Sequence, residues 1–214
     1  MSNKVKIIGL CGTKGSGKDT AAEPLLDKGW ARISFADPLK DLCAATFNVK
    51  PAKFHHPEFK DLKFHKPLIL GDDHADNFMA ALDDVPKYVT HKDLIYDAFD
   101  GREIHTAREL MQFIGTDVVR HCVSNTYWVD LAEKKIKRWS AEDVNIVFTD
   151  VRMANERDLV KDYGGTIVRI LREGSEEGKH SSEIIDFPAD ITLTNDESIT
   201  DLHKKIIAIE EDLK

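Results

Sequence analysis

Nine consecutive residues near the start of the chain have the composition of a loop that binds phosphate. Gly12, Gly17 and Lys18 stand at the spacing G-x-x-x-x-G-K within the stretch GTKGSGKDT at 12–20. Glycine permits the tight backbone turns that direct consecutive N–H groups toward an anion, and the helix predicted to follow adds the positive end of its dipole. A lysine in this position supplies a mobile positive charge for the β- and γ-phosphates of a nucleotide. The stretch therefore predicts a nucleotide-binding loop rather than a simple turn between a strand and a helix.

The residue after the lysine departs from the usual form of this motif. Most such loops have Ser or Thr there, with a hydroxyl that binds Mg²⁺, whereas this chain has Asp19 followed by Thr20. A carboxylate binds Mg²⁺ well, either directly or through a water molecule, and the sequence leaves both modes open. The residues predicted to hold the nucleotide phosphates and the metal in this loop are Gly12, Lys14, Gly15, Ser16, Gly17, Lys18, Asp19 and Thr20.

Charged residues follow two later strands of the predicted sheet. Asp150 ends an aliphatic strand at 144–148, where a P-loop protein places the acidic residue that positions Mg²⁺. Arg152 lies two residues later, and Arg172 follows the next strand. Parallel strands bring their carboxyl ends to one edge of the sheet, so these guanidinium groups would neutralise charge on a transferring phosphoryl group. The alternatives are a helix N-cap for Asp150 and surface ion pairs for the arginines, including Arg108 at the start of another helix.

The composition is typical of a soluble globular protein with one domain. Its 214 residues are 42% hydrophobic and 32% charged, with a mean hydropathy of -0.36, which is enough apolar material for a full core. A formal net charge of -8 argues against a nonspecific nucleic-acid binder, which needs a basic surface. Three scattered cysteines without a C-x-x-C pair predict reduced thiols. With no signal peptide and no apolar run near the roughly 18 residues of a membrane span, we expect a cytoplasmic protein without a membrane or stable nucleic-acid partner.

Strands and helices alternate along most of the predicted chain. The predicted strands are 5–11, 30–35, 144–148, 166–171 and 191–193. The predicted helices are 20–28, 38–47 with Asp37 as N-cap, 76–82, 91–99, 106–118 with an interruption at Gly115, 127–139, 154–162 and 199–213. Strand–helix–strand units of this kind form an α/β fold, a parallel sheet with helices on both faces. An irregular insertion with short helices interrupts the pattern at about 49–105.

Four blocks of residues resemble the deoxynucleoside monophosphate kinases of tailed bacteriophages. The blocks are GTKGSGKDT at 12–20, RELMQFIGTD at 108–117 with YWV at 127–129, DVR at 150–152 with NE at 155–156, and HSSE at 180–183 with TND at 194–196. They follow one another through nearly the whole chain, apart from the insertion. The Gly-Lys-Asp-Thr ending of the loop, combined with the second block, carries most of the resemblance. It implies a three-layer P-loop kinase sandwich around a five-stranded parallel sheet, in a single domain with the insertion on the acceptor side.

The resemblance also implies an activity and the residues that perform it. Such enzymes phosphorylate deoxynucleoside monophosphates with ATP and Mg²⁺, and a homodimer is one option for their assembly. The catalytic residues would be Lys18, Arg152, Arg172 and Asp150, with Asp19 and Asp150 as the metal ligands. The acceptor nucleotide would contact Asp37, Lys40, Arg108 and Gln112, and the donor adenine would lie near Asn195 and Asp196. The segment 172–183 would be a lid that closes to exclude water.

Two other functions are compatible with the phosphate-binding loop. A P-loop kinase of the dephospho-coenzyme A or phosphomevalonate type would share the ATP half of the site and differ in the acceptor half. A P-loop NTPase that acts as a switch or motor would hydrolyse its nucleotide without an acceptor. The sequence has no evident guanine-specificity motif and no second motor domain. It also has no obvious nucleophile–base pair, which a phosphate acceptor does not require.

Overall fold

Helices and strands alternate through most of the chain, as the sequence predicts. The computed structural model describes residues 5–59, 61–82, 91–175 and 185–213. Within these residues the strands are β1 (Ile7–Cys11), β2 (Ala31–Ile33), β3 (Lys63–Ile69), β4 (Glu103–Thr106), β5 (Ile146–Phe148), β6 (Thr166–Leu171) and β7 (Ile191–Thr194). The α-helices are α1 (Lys18–Asp27), α2 (Ala36–Thr46), α3 (Ala52–His55), α4 (Asp72–Ala81), α5 (Lys92–Phe99), α6 (Ala107–Gln112), α7 (Tyr127–Ala141), α8 (Ala154–Asp162) and α9 (Ile199–Asp212). A 3-10 turn spans Pro57–Phe59, and a π-helix spans Phe113–Val123.

A five-stranded parallel sheet forms the first of two compact units, which comprises Met1–Phe35 and Val129–Lys214. The strand order is β2-β5-β1-β6-β7, and every neighbouring pair is parallel. All five residues of β1 are buried, as expected of a central strand covered on both faces. The loop that follows β1 therefore begins in the middle of the sheet, at the carboxyl ends of the strands.

Alternate residues of β1 face opposite sides of this sheet. Ile8 and Leu10 belong to a buried cluster with residues of α1 and α9, among them Leu25 and Ile206. On the other side, a Cβ added to Gly9 would lie 3.3 Å from a methyl carbon of a valine in α8. Helices thus pack on both faces of the five-stranded sheet, which confirms the predicted α/β architecture.

The second unit, Ala36–Trp128, contains the predicted insertion at 49–105 and extends beyond it at both ends. Aromatic side chains form part of its core. The ring centroids of Phe78 and Phe99 lie 5.6 Å apart, and those of Phe99 and Phe113 lie 5.3 Å apart. All three rings are buried, so the short helices that carry them are held by packing rather than by their own helix propensity.

An antiparallel pair of strands, β3 and β4, lies within the second unit. These two strands were not predicted from the sequence. Most residues of β3 are exposed, so the sequence lacks the alternation of apolar and polar residues that marks a half-buried strand. Pro67 also lies inside β3, and proline is found chiefly on edge strands because it cannot donate a backbone hydrogen bond.

The helix predicted at 106–118 consists of two helices of different type. α6 ends at Gln112, and the π-helix continues to Val123. The change of type occurs two residues before Gly115, which is buried inside the π-helix. A Cβ added to Gly115 would come within 2.8 Å of Cδ2 of Leu39, and the Gly115 carbonyl accepts a 3.0 Å hydrogen bond from Nε1 of Trp128. Close packing, rather than a helix break, explains this glycine.

The N-cap predicted at Asp37 is wrong, and so is the alternative assignment of Asp150 as an N-cap. α2 already begins at Ala36, so Asp37 lies in its first turn and is not the N-cap. α8 begins at Ala154 and its cap position is Met153, so Asp150 is not an N-cap either. Most of the predicted lid at 172–183 lies outside the described residues, as does the HSSE block at 180–183. Among the helices that the structure describes, none is long and apolar enough to cross a membrane.

Candidate active site

The loop between β1 and α1 adopts backbone conformations that favour glycine. The φ angles are 152° at Gly12, 79° at Gly15 and 97° at Gly17. A Cβ at Gly12 would lie 2.5 Å from the carbonyl oxygen of Ile170, and a Cβ at Gly17 would lie 2.4 Å from Nδ2 of Asn195. A Cβ at Gly15 would meet nothing within 4 Å. The loop is therefore packed against β6 at Gly12 and against Asn195 at Gly17, while Gly15 faces open space.

Lys18, the first residue of α1, is 8% exposed. Its Nζ donates 2.8 Å hydrogen bonds to the carbonyl oxygens of Gly12 and Thr13. Burial lowers the pKa of Lys18 to about 8, with a smaller contribution in the same direction from the positive charge of Arg152. Because a phosphate is negatively charged, its arrival beside Nζ would favour the ammonium form.

Asp150 follows β5 beside the end of β2. Its Oδ2 accepts a 2.7 Å hydrogen bond from Oγ of Ser34, and its Oδ1 accepts a 2.9 Å hydrogen bond from the backbone N–H of Phe35. These bonds set the orientation of the carboxylate. Asp19 is exposed in the first turn of α1, and both carboxylates oppose the lowering of the pKa of Lys18. The positive charge of Lys18 therefore interacts with the carboxylates of both Asp19 and Asp150.

The backbone at Arg152 is held by a buried carboxylate whose role was not predicted from the sequence. Oε2 of Glu156 accepts hydrogen bonds from the N–H groups of Arg152 at 2.8 Å and Met153 at 3.1 Å. Glu156 is only 3% exposed, and buried carboxylates are stable when they are hydrogen-bonded. The only feature of the sequence that could have indicated this contact is the spacing of four residues between Arg152 and Glu156. Glu156 thereby fixes the point from which Arg152 extends.

A short turn after β6 is hydrogen-bonded to the phosphate-binding loop. Oγ of Ser175 donates to the carbonyl oxygen of Arg172 at 2.7 Å and accepts from Oγ1 of Thr13 at 2.8 Å. Arg172 itself is exposed. This contact could not be predicted from the sequence, because no motif relates two residues that are 162 positions apart. The turn holds the backbone of Arg172 next to the loop. The predicted contact of Arg172 with a transferring phosphoryl group stays a prediction.

Asn195 and Asp196 lie at the end of β7 and contact the same region. Nδ2 of Asn195 donates to the carbonyl oxygen of Ser16 at 2.9 Å, and its backbone N–H donates to Leu171 at 2.7 Å. Oδ1 of Asp196 accepts from the N–H of Glu173 at 3.0 Å. Both side chains therefore bind backbone groups of the loop or of the turn. Their predicted contact with the donor adenine stays a prediction.

The residues predicted to bind the acceptor nucleotide all lie in the second unit. Lys40 is 8% exposed, and its Nζ donates to Oδ1 of Asp37 at 2.8 Å. Arg108 is in α6, and its Nε donates to Oδ1 of Asp61 at 2.7 Å. Gln112, partly buried, is the last residue of α6. The structure thus pairs Asp37 with Lys40 and places Arg108 and Gln112 one helical turn apart.

No group of three or more His, Cys, Asp or Glu among the described residues could hold a metal ion by itself. Asp19 and Asp150 provide two carboxylates. Protein sites for Mg²⁺ commonly consist of one or two carboxylates, completed by water and by phosphate oxygens of the substrate. The donor set therefore fits an ion that binds together with a nucleotide.

Comparison with known proteins assigns the chain to a family. The family model for deoxynucleotide monophosphate kinase matches residues 72–206. The chain belongs to this family. A protein of Acanthamoeba polyphaga mimivirus is 29% identical over 216 residues, 94% of each chain. The deoxynucleotide monophosphate kinases of Escherichia phage RB69 and Enterobacteria phage T4 are 27% and 25% identical, over 94% of this chain and 98% and 97% of theirs.

Membership of the deoxynucleotide monophosphate kinase family confirms the function predicted from the sequence. The chain is a phosphotransferase that acts on a deoxynucleoside monophosphate, with a phosphate group as the acceptor. The family implies a nucleotide donor, for which the loop at 12–20 is suited. Neither the dephospho-coenzyme A or phosphomevalonate kinase alternative nor the NTPase switch is favoured.

Proposed function

We propose that the chain transfers the γ-phosphoryl group of ATP to a deoxynucleoside monophosphate, with Mg²⁺ held by Asp19 and Asp150. The products are ADP and a deoxynucleoside diphosphate. One observation carries the proposal: in a chain of this kinase family, the buried Lys18 of a glycine-rich loop shares its electrostatic environment with Asp19, Asp150 and Arg152. This combination of charges is suited to a nucleotide–metal complex.

The loop fits the phosphates of ATP in conformation and in polar groups. Glycines at positions 12, 15 and 17 permit the turns that an anion-binding backbone needs. Oγ of Ser16 is buried and has no hydrogen-bond partner among the described residues, and leaving a buried hydroxyl without a partner costs free energy. A phosphate oxygen would satisfy such a group. We assign Lys14, Lys18 and Thr20 to the same phosphates, and the donor adenine to the region of Asp196.

Asp19 and Asp150 would hold Mg²⁺ between them and the phosphates. Bound Mg²⁺ neutralises negative charge on the transferring group and orients it for in-line displacement. Asp150 is already oriented by Ser34 and Phe35, so its carboxylate needs little rearrangement. Asp19 replaces the usual hydroxyl with a charged ligand, which strengthens the electrostatic attraction for the ion.

The second unit would hold the acceptor. Lys40 and Arg108 supply positive charge for its phosphate, and both are paired with carboxylates, Asp37 and Asp61. An incoming phosphate would exchange with these carboxylates or share the cations with them. The amide of Gln112 can donate and accept hydrogen bonds, as recognition of a base edge requires.

The reaction needs positioning and charge neutralisation rather than a strong base. An oxygen of the acceptor phosphate attacks the γ-phosphorus, while the bond to the oxygen that bridges the β- and γ-phosphorus atoms breaks. The attacking oxygen is already ionised near neutral pH, because the second pKa of a phosphate monoester is about 6. Lys18, Arg152 and Arg172 would balance the negative charge on the transferring group.

The proposed partners are small molecules, namely ATP and the deoxynucleoside monophosphate. We propose no stable nucleic-acid partner and no membrane partner, with action in the cytoplasm, which for a phage-encoded enzyme is that of the host. A homodimer is one option for the assembly, and sedimentation velocity at micromolar concentrations would separate it from a monomer.

The proposal is tested by offering each of the four deoxynucleoside monophosphates with Mg²⁺ and ATP, and measuring ADP and the deoxynucleoside diphosphate. We expect turnover of at least one acceptor and little ATP consumption without it. Lys18→Met should lower turnover by orders of magnitude. Lys28→Met is the matched control, because Lys28 lies at the other end of α1 and its Nζ bonds to Glu210.

Two results would contradict the proposal. Rapid hydrolysis of ATP without any acceptor would favour an NTPase switch. Turnover of dephospho-coenzyme A or phosphomevalonate, with none of any deoxynucleoside monophosphate, would favour the other type of kinase. Equal turnover in Lys18→Met and Lys28→Met would remove Lys18 from the site.

A further inference from the structure

Asn195 immediately follows β7, two strands away from β1 in the sheet, and contacts the phosphate-binding loop. We infer that Asn195 is a positioning residue, whose side-chain amide holds the Ser16 carbonyl and thereby keeps the loop in the conformation that receives the donor phosphates. The inference rests on the proposed function, in which this loop binds the phosphates of the donor. It assigns to Asn195 a role that differs from contact with the adenine.

The first support is the geometry of the contact. Nδ2 of Asn195 lies 2.9 Å from the carbonyl oxygen of Ser16, across 179 positions of sequence. The backbone of Asn195 is itself fixed, because its N–H donates to Leu171 at 2.7 Å, one residue beyond the pairing of Leu171 with Thr194. The amide therefore extends to the loop from the first residue after β7, whose backbone is still hydrogen-bonded to β6.

The second support comes from the planarity of the peptide bond. In a trans peptide the C=O and the N–H point in opposite directions. When the Ser16 carbonyl points toward Asn195, the N–H of Gly17 must therefore point away from Asn195. Gly17 is the cap residue of α1, so this N–H is one of the unpaired donors at a helix N-terminus that attract an anion.

The third support is that the peptide between Ser16 and Gly17 needs a contact that fixes its orientation. Glycine adopts left-handed and right-handed backbone conformations with similar ease, so the Ser16–Gly17 peptide can turn over at low cost. A turned peptide would direct a carbonyl oxygen, rather than an N–H, toward the phosphates. The close approach also explains Gly17, since a Cβ there would lie 2.4 Å from Nδ2 of Asn195. The side-chain amide of Asn195 can therefore reach the Ser16 carbonyl only because residue 17 has no side chain.

The test separates the phosphates of the donor from its base. Binding of inorganic tripolyphosphate and of adenosine is measured by calorimetry for the natural chain, Asn195→Ala and Asn195→Leu. Leucine keeps the approximate volume but cannot donate. Loss of one hydrogen bond that orders the loop should weaken tripolyphosphate binding by about threefold to tenfold in both variants. Adenosine binding should be unchanged in both.

Asn145→Ala is the matched control. Oδ1 of Asn145 accepts a 2.8 Å hydrogen bond from the N–H of Lys6 at the amino ends of β5 and β1, away from the loop. This variant removes the same kind of side-chain-to-backbone bond from the same sheet. We expect it to lower the temperature of thermal unfolding and to leave tripolyphosphate binding unchanged.

The outcomes are distinct. If the natural chain binds neither ATP nor tripolyphosphate, the proposed function itself fails. If the natural chain binds both, the inference is overturned by Asn195 variants that bind tripolyphosphate normally but lose adenosine, which would indicate contact with the base. Equal weakening in the Asn195 and Asn145 variants would also overturn it, because the effect would then be general destabilisation.

Discussion

Nucleotide binding should become coupled to proton uptake when the pH is raised from 7 to 9, because of Lys18. Its pKa is about 8 in the folded chain, against an ordinary value of 10.5. Burial is the main cause, and the charge of Arg152 is the next. Bound phosphates add negative charge beside Nζ and should return the pKa toward its ordinary value.

The size of the effect follows from these two pKa values. At pH 7 the lysine of the free protein is about 90% protonated, so binding takes up only about 0.1 proton. At pH 9 it is about 10% protonated when free and nearly fully protonated when bound, so binding takes up about 0.9 proton. The dissociation constant for tripolyphosphate or ATP should therefore be about tenfold larger at pH 9 than at pH 7, which means weaker binding.

The same pKa values set the sign of the effect on stability. Between pH 8 and pH 10.5 the unfolded chain binds more protons at Lys18 than the folded chain does. The contribution of this residue to the free energy of unfolding should therefore rise with pH over that interval. Other groups titrate in the same pH range and also affect unfolding. The pH dependence of nucleotide binding therefore reports on Lys18 more specifically than the pH dependence of unfolding does.

Calorimetry in buffers of different ionisation enthalpy measures the protons taken up at each pH. Lys18→Arg is the control, because a guanidinium stays charged throughout this range and should abolish the uptake. Arg152→Gln should raise the pKa of Lys18 and so reduce the uptake at pH 9. Binding at pH 9 without proton uptake by the natural chain would refute the reasoning, and so would equal uptake in Lys18→Arg.

Three further substitutions test the loop, the metal site and an ion pair of the supporting fold. Gly12→Ala should destabilise the chain by roughly 1–3 kcal/mol in thermal unfolding, because φ is 152° and the new Cβ would lie 2.5 Å from the carbonyl oxygen of Ile170; an unchanged unfolding temperature would contradict the loop conformation. Asp150→Asn should raise the Mg²⁺ concentration needed for half-maximal turnover by about tenfold or more, while the contact with Ser34 persists. An unaltered Mg²⁺ titration would exclude Asp150 from the metal site. Glu210→Gln should lower the free energy of unfolding by about 1 kcal/mol at pH 7, because hydrogen bonds from two lysines lower the pKa of Glu210 below its ordinary 4.5. The difference in the free energy of unfolding between the natural chain and Glu210→Gln should vanish as the pH falls below 4.5 and then through the lower pKa of Glu210 in the folded state. A difference that persists at pH 2 would contradict the ion-pair assignment.

The sequence by itself determined the parallel sheet, the phosphate-binding loop and the family. These features depend on local patterns. An aliphatic run such as β1 is buried wherever it lies in a parallel sheet, and a glycine-rich loop before a helix has the same conformational needs in any chain. The predicted bounds of β6 at 166–171 and α8 at 154–162 therefore agree with the structure.

Only the tertiary structure decided which residues support the loop. Asn195, Ser175 and Ser34 contact it or its acidic neighbour because β7, β6 and β2 occupy particular places in the strand order. A hydrogen bond between residues more than a hundred positions apart depends on register and on side-chain direction, which no spacing rule contains. The exposed strands β3 and β4 were missed for a related reason: their partner, and not their hydrophobic pattern, makes them strands.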